Sequence, residues 1–144
     1  MTYYYEDLTV GLEESMRHTI TERDVELFGE VTGDRNPVHF DEAYARKTVF
    51  RGRVAHGALS IGFISAVMGM KLPGPGSIFL SATTRFNAPV RIGDTVVTTC
   101  RVAELRERRH VVMYCKCEVN GAVVVEGEAL VMAPKKPPQA ETPA

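Results

Sequence analysis

Residues 56–71 constrain the fold more than any other part of this 144-residue chain. Leu59, Ile61, Phe63, Ile64, Val67, Met68 and Met70 cover nearly every face of a helix over this stretch, and a helix that is apolar all round is a buried one. Gly57, Ala58, Ser60, Gly62, Ser65, Ala66 and Gly69 are small and let other backbones pack close. The apolar run is broken by Ser and Gly and is too short to span a bilayer. Pro73-Gly74-Pro75-Gly76 ends it. The rest of the fold must enclose this helix.

The residues that follow supply a sheet, because the hydrophobic period switches to two. Ile78, Leu80, Ala82, Thr84 and Phe86 form one alternating set, and Val96, Thr98, Cys100 and Val102 a second. Val111, Met113, Cys115, Cys117 and Val119 form a third, and Val123, Val125, Ala129 and Val131 a fourth. Asn120-Gly121 between the last two is a strong hairpin signal. A further strand is expected within residues 7–19. The expected architecture is α+β: an antiparallel sheet of about five strands wrapped around one buried helix.

Ahead of that helix, Thr21 followed by Glu22, Arg23 and Asp24 reads as an N-cap with acids in the first turn. Val25, Phe28 and Val31 then recur at helical spacing until Gly33 stops the helix. Periodicity fails over residues 34–55, apart from a short helix expected over 41–47. A stretch this long with little regular pattern is usually functional or disordered. Val38, Phe40, Tyr44, Val49 and Phe50 argue against disorder. Residues 1–133 form one domain in this reading, and the proline-rich, polar residues 134–144 form a disordered tail.

A net charge of −1 and the lack of a basic stripe point away from nucleic acid and anionic membranes. The opening residues carry neither a positive n-region nor an apolar h-region, so no signal peptide is expected. Cys115 and Cys117 stand two apart in a strand and should point the same way, an awkward geometry for a mutual disulfide. With Cys100 they read as buried thiols in a reducing cytoplasm.

Chemistry-bearing residues concentrate in Thr32-Gly33-Asp34-Arg35-Asn36-Pro37-Val38-His39-Phe40-Asp41. Histidine has an ordinary pKa of roughly 6.5 and exchanges protons readily near neutrality. Aspartate, at roughly 3.9, is a poor base unless burial raises it. Asp34 and His39 together can hold one water and share its proton transfers. Two other readings remain open from these residues alone. Asp34 and Asn36 could simply satisfy backbone groups in a turn. Asp34, His39, Asp41 and His56 could ligate a metal, although their spacing matches no standard zinc motif.

The second feature is Ala55-His56-Gly57-Ala58-Leu59 at the start of the apolar helix. Helix N-termini present unsatisfied N–H groups and partial positive charge. The Gly57 N–H could receive a thioester oxygen, because glycine permits close approach; alternatively, Gly57 only eases packing there. The sequence contains no Gly-x-Ser-x-Gly elbow, dinucleotide fingerprint or P-loop.

Together these residues resemble the MaoC-like family of (R)-specific enoyl-CoA hydratases. The resemblance lies first in the motif from Phe28 through Asp34, Asn36, Pro37, His39 and Asp41 to Ala45. It continues through Ala55-His56-Gly57, Leu72-Pro73-Gly74 and Phe86-Asn87-Ala88-Pro89-Val90 to Gly93-Asp94. It covers about residues 10–132, and the first motif is the most specific. It implies a hotdog fold, usually dimeric, and hydration of trans-2-enoyl-CoA to (R)-3-hydroxyacyl-CoA. By analogy Asp34 and His39 form the catalytic pair, Asn36 orients them and the Gly57 N–H forms the oxyanion site. Ser65, nine residues beyond His56, falls where relatives place a pocket serine, and Met68 would shape the acyl end of the cavity. His56 joins them as a substrate-binding residue. The resemblance implies no metal or redox cofactor, and CoA enters only as the substrate's carrier. Lys47, Arg51 or Arg53 could meet its phosphates or simply be solvated surface. The expected partners are an acyl-CoA and a second copy of the chain.

Three other activities suit this fold. A hotdog thioesterase usually carries an acid on the central helix, but residues 57–71 hold no Asp or Glu. A dehydratase acting on acyl-carrier-protein thioesters would run the same chemistry on another carrier. A non-catalytic acyl-CoA-binding subunit would have no need of Asp34, Asn36 and His39.

Overall fold

The computed structural model describes residues 1–138. Its first strand is β1, Glu13–Thr19, and α1 follows at Glu22–Thr32. The helical turns α2, Pro37–Phe40, and α3, Glu42–Arg46, lead to the long helix α4, Gly57–Met70. Four strands complete the chain: β2, Ile78–Phe86; β3, Thr95–Leu105; β4, His110–Val119; and β5, Ala122–Met132. The five strands form one antiparallel sheet in the order β1-β3-β4-β5-β2. Helix α4 packs across one face of the sheet, so the expected α+β architecture is the one observed.

Local chemistry explains the boundaries. The Thr21 side chain accepts from the Asp24 N–H, and Asp24 reaches back to the Thr21 N–H. This capping box contributes about 1 kcal/mol. Gly33 closes α1 in the left-handed region at φ 80°. Of the three residues expected on its buried face, Val25 is fully buried and Phe28 half-buried, whereas Val31 is 84% exposed. Val31 lies six positions beyond Val25, well round the helix, and Gly29, one turn on, is buried in its place. The β4–β5 hairpin turns through Asn120 and Gly121, both at positive φ, as its sequence requires.

The core lies between α4 and the sheet. Ile64, Val67 and Met68 pack onto Val96, Cys100, Val102, Met113, Cys115, Cys117 and Val125. All three cysteines are free and buried, and Cys115 and Cys117 face the same side. The register shifts at three places, after Phe79, after Val102 and after Cys117; at the last, Cys117 pairs with Val125 and Glu118 with Val123, leaving Val124 as a bulge. The Val124 carbonyl then accepts from the N–H groups of Asn87 and Ala88, which anchors the segment after β2.

The sheet covers only one side of α4. Gly57, Ala58, Gly62 and Met70 are exposed, so the all-round burial expected of this helix is not completed within one chain. Strand β2 is a sheet edge exposed along almost its whole length. Among the expected tail residues, Pro134 accepts from the Tyr5 N–H. Residues 139–144 of that tail lie outside the described residues. Among the described residues, no helix is long and apolar enough to cross a membrane.

Candidate active site

The turn expected from Asp34-Arg35-Asn36-Pro37 is present, and it builds the site. The Asp34 carboxylate accepts from the Asn36 N–H, and the Asn36 side chain accepts from the Val38 N–H. Asn36 thereby caps α2, whose first residue is Pro37, a position where proline's missing donor costs nothing. One turn of helix carries His39 inward. Asp34 stays exposed, whereas His39 is 8% and His56 2% exposed. The turn reading and the site reading therefore describe the same residues.

Both imidazoles are held by backbone carbonyls. His39 Nδ1 donates to the Val54 carbonyl at 2.7 Å, and His56 Nε2 to the Asp34 carbonyl at 2.9 Å. A carbonyl can only accept, so these contacts fix both tautomers and leave a lone pair on His39 Nε2. His56 Nδ1 is buried with no hydrogen-bond partner. The rings of Phe28 and His56 lie 4.6 Å apart, and Phe40 meets His56 edge-on at 5.7 Å. A carboxylate oxygen of Asp34 and ring nitrogens of His39 and His56 all lie within 4.8 Å of one another. Burial, the main cause, pushes the His39 pKa below its ordinary value. The Val54 hydrogen bond and the Asp34 charge oppose that shift, and His56 adds to it.

A cavity of about 340 Å³ opens beside these groups. Asn36, His39, His56 and Gly57 line it, together with Ser60, Phe50, Val54 and the 86–90 segment. Gly57 is the first residue of α4, and its N-cap, His56, provides no side-chain cap. The Leu59 N–H donates to the His56 carbonyl at 3.1 Å, which leaves the N–H groups of Gly57 and Ala58 as the ones a ligand could meet. Close approach is required at Gly57, where a Cβ would stand 2.9 Å from the Phe86 ring.

Three expected site residues do not line this cavity: Asp34, which stays on the exposed turn beside it, Ser65 and Met68. Ser65 is half-buried elsewhere on α4, and Met68 is 2% exposed within the core. Ser65 lies five positions beyond Ser60, which carries it well round the helix, so Ser60 faces the cavity instead. Phe50 and residues 86–90 also line the cavity, although nothing in their hydrophobic periodicity assigned them to it. The proline-containing sequence Phe86-Asn87-Ala88-Pro89-Val90, directly after a strand, was the available signal. Among the three candidate phosphate contacts, Arg53 is already engaged by Glu22 and the His39 carbonyl.

A five-stranded antiparallel sheet packed over one apolar helix, with a polar loop at that helix's N-terminus, defines a hotdog-fold protein. The chain belongs to the MaoC like domain family, which its residues 9–122 match. It is 52% identical to 3-hydroxybutyryl-CoA dehydratase of Methylorubrum extorquens, over 92% of this chain and 85% of that one. It is 50% identical to (R)-specific enoyl-CoA hydratase of Rhodospirillum rubrum, over 93% of this chain and 94% of that one. Its fold matches unliganded R-hydratase PhaJ1 from Pseudomonas aeruginosa with a TM-score of 0.89 and 43% identity, covering 99% of this chain and 95% of that one.

Proposed function

We propose that this protein is a hydro-lyase that adds water reversibly across trans-2-enoyl-CoA to give (R)-3-hydroxyacyl-CoA, using Asp34 and His39. The observation that carries the reading is the approach of the Asp34 carboxylate to the His39 imidazole, which itself lines a cavity beside an uncapped helix N-terminus. The names and high identity of the relatives support the same reaction.

Conjugation with the thioester makes C3 of the substrate electrophilic and places developing negative charge on the carbonyl oxygen. Water held between Asp34 and His39 bonds through its oxygen to C3 and gives up one proton to the pair. The pair returns one proton to C2, so the sum is one water added. Depression of its pKa keeps His39 neutral near pH 7, with Nε2 able to accept a proton. Such proton transfer contributes roughly 100- to 10,000-fold. The Gly57 N–H receives the thioester oxygen, aided by the helix terminus. Asn36 orients the pair through the cap it makes.

No metal or redox cofactor is assigned to Asp34, His39 and His56. One nitrogen of each imidazole is already committed to a backbone carbonyl, His39 Nδ1 to Val54 and His56 Nε2 to Asp34, which weighs against a metal-ligand role. The absence of Asp or Glu from α4 weighs against the thioesterase reading.

The functional unit is a homodimer. Exposed Ile78, Leu80 and Phe86 on the unpaired edge β2, and the open small-residue side of α4, are surfaces a second copy would cover. Light scattering should give twice the 15.9 kDa chain mass. A single-chain mass would contradict the dimer. Three free buried thiols suit a reducing compartment, and we assign the protein to the cytoplasm.

The test is to mix purified protein with crotonyl-CoA, follow loss of the enoyl absorbance and determine the product's configuration. Rapid loss giving (R)-3-hydroxybutyryl-CoA is expected. Hydrolysis to free CoA would instead support a thioesterase, and inertness toward enoyl-CoA thioesters of every chain length would overturn the reading.

A further inference from the structure

We propose that Arg53 and Glu22 form a positioning clamp that fixes His39 from the side away from the substrate. Arg53 Nε donates to the His39 carbonyl at 2.7 Å. Its two terminal nitrogens donate to the two oxygens of Glu22, at 2.7 and 2.9 Å. The Arg53 side chain is only 18% exposed although its partner Glu22 is 67% exposed, so the guanidinium is packed into the protein rather than offered to solvent.

The arrangement is reciprocal. Residue 53 holds the backbone of His39 through its side chain, while residue 54 holds its ring: the Val54 carbonyl accepts from His39 Nδ1. The Val54 N–H donates to the Val38 carbonyl, completing a small ladder between the two segments. Glu22 stands in the first turn of α1, so the clamp also ties that helix to the loop carrying the imidazole. Each partner holds the other charged: the Arg53 hydrogen bond lowers the Glu22 pKa, and Glu22 raises that of Arg53. Three donors pointing in two directions are a property of the planar guanidinium, which a lysine ammonium does not reproduce.

This inference rests on His39 being part of the reacting pair. The test is steady-state hydration of crotonyl-CoA, with melting curves and pH profiles, for Arg53→Met, Arg53→Lys, Glu22→Gln, the Arg53→Met/Glu22→Gln double variant and His39→Gln. Misplacing a reacting group by about 1 Å costs on the order of 100-fold, so Arg53→Met is expected to lose about 10- to 100-fold in kcat. KM should stay within about twofold, because ground-state binding is untouched. Arg53→Lys should not rescue turnover. Glu22→Gln, at an exposed position, should lower kcat by more than its small fall in melting temperature accounts for, and the double variant should be no worse than Arg53→Met.

Raised KM with normal kcat in Arg53→Met would overturn the clamp in favour of a substrate contact. So would losses that track melting temperature alone, rescue by lysine, or Glu22→Gln with wild-type kcat. An inactive His39→Gln beside a fully active Arg53→Met would end the clamp and leave the site reading intact. An active His39→Gln would end the site reading itself.

Discussion

The imidazoles of His39 and His56 lie face to face, with centroids 3.9 Å apart and planes 30° apart. Each ring donates to a different carbonyl, of Val54 and Asp34 respectively, so the stack joins the segment that carries the proposed reacting pair to residues 54–56. His56 is thereby more than a lining residue. It holds the Asp34 backbone by a hydrogen bond and the His39 ring by contact.

A pH dependence follows from His39. Its folded pKa lies below the ordinary 6.5, chiefly because burial disfavours the charged ring. Activity that needs the neutral ring should be full above pH 6.5 and fall on the acid side with an apparent pKa below that value. Stability has the same sign. The unfolded chain takes up the proton first, so the contribution is complete above 6.5 and is lost as pH falls through the folded pKa. A kcat/KM profile and melting curves across this range check both. An acid limb above 6.5 would contradict the assignment.

Replacing His56 with Phe should keep a stacked ring but release the Asp34 carbonyl. Turnover should fall by about 10-fold or more as Asp34 loses its anchor. His56 adds to the depression of the His39 pKa, so removing it should move the acid limb upward, toward the ordinary value. Burial is the larger cause and persists, so the return is partial. Rate–pH curves of the variant and wild type measure the displacement. An unmoved limb with unchanged kcat would show that His56 only fills space.

Much of this fold was legible because its signals are local. Apolar residues on every face identified α4, and Asn120-Gly121 placed the hairpin. The approach of Asp34 and His39 was also legible, since a capped proline turn within six residues brings them together. What pattern could not supply depends on parts distant in sequence. The sheet's placement across α4 decides that Ser60, rather than Ser65 or Met68, faces the cavity. The Val124 bulge sets the lining segment at Asn87 and Ala88, and Arg53 reaches Glu22 across 31 positions. Val31 shows the limit of spacing alone: it sits near a helical repeat but beyond the buried stripe.

Substituting Gly127 by Ala tests the β2–β5 register. Gly127 pairs with Thr84, and a Cβ there would collide with the Thr83 carbonyl oxygen and stand 2.8 Å from Thr84 Cα. Backbone cannot rotate away as a side chain can, so the expected cost is at least about 2 kcal/mol. Denaturant unfolding of the purified variant measures it. Wild-type stability would show that β2 does not pack against β5 in this register.

The most direct measurement is the initial rate of crotonyl-CoA hydration by wild type, Asp34→Asn and His39→Gln, each with its melting temperature. The pair should supply roughly 100- to 10,000-fold, so both variants are expected to lose turnover in that range. Asp34→Asn, at an exposed position, should melt close to wild type; His39→Gln loses the buried bond to the Val54 carbonyl and should melt somewhat lower, yet both stay folded because the α4–sheet core is untouched. Near-normal turnover in two well-folded variants would contradict the proposal that Asp34 and His39 carry the protons.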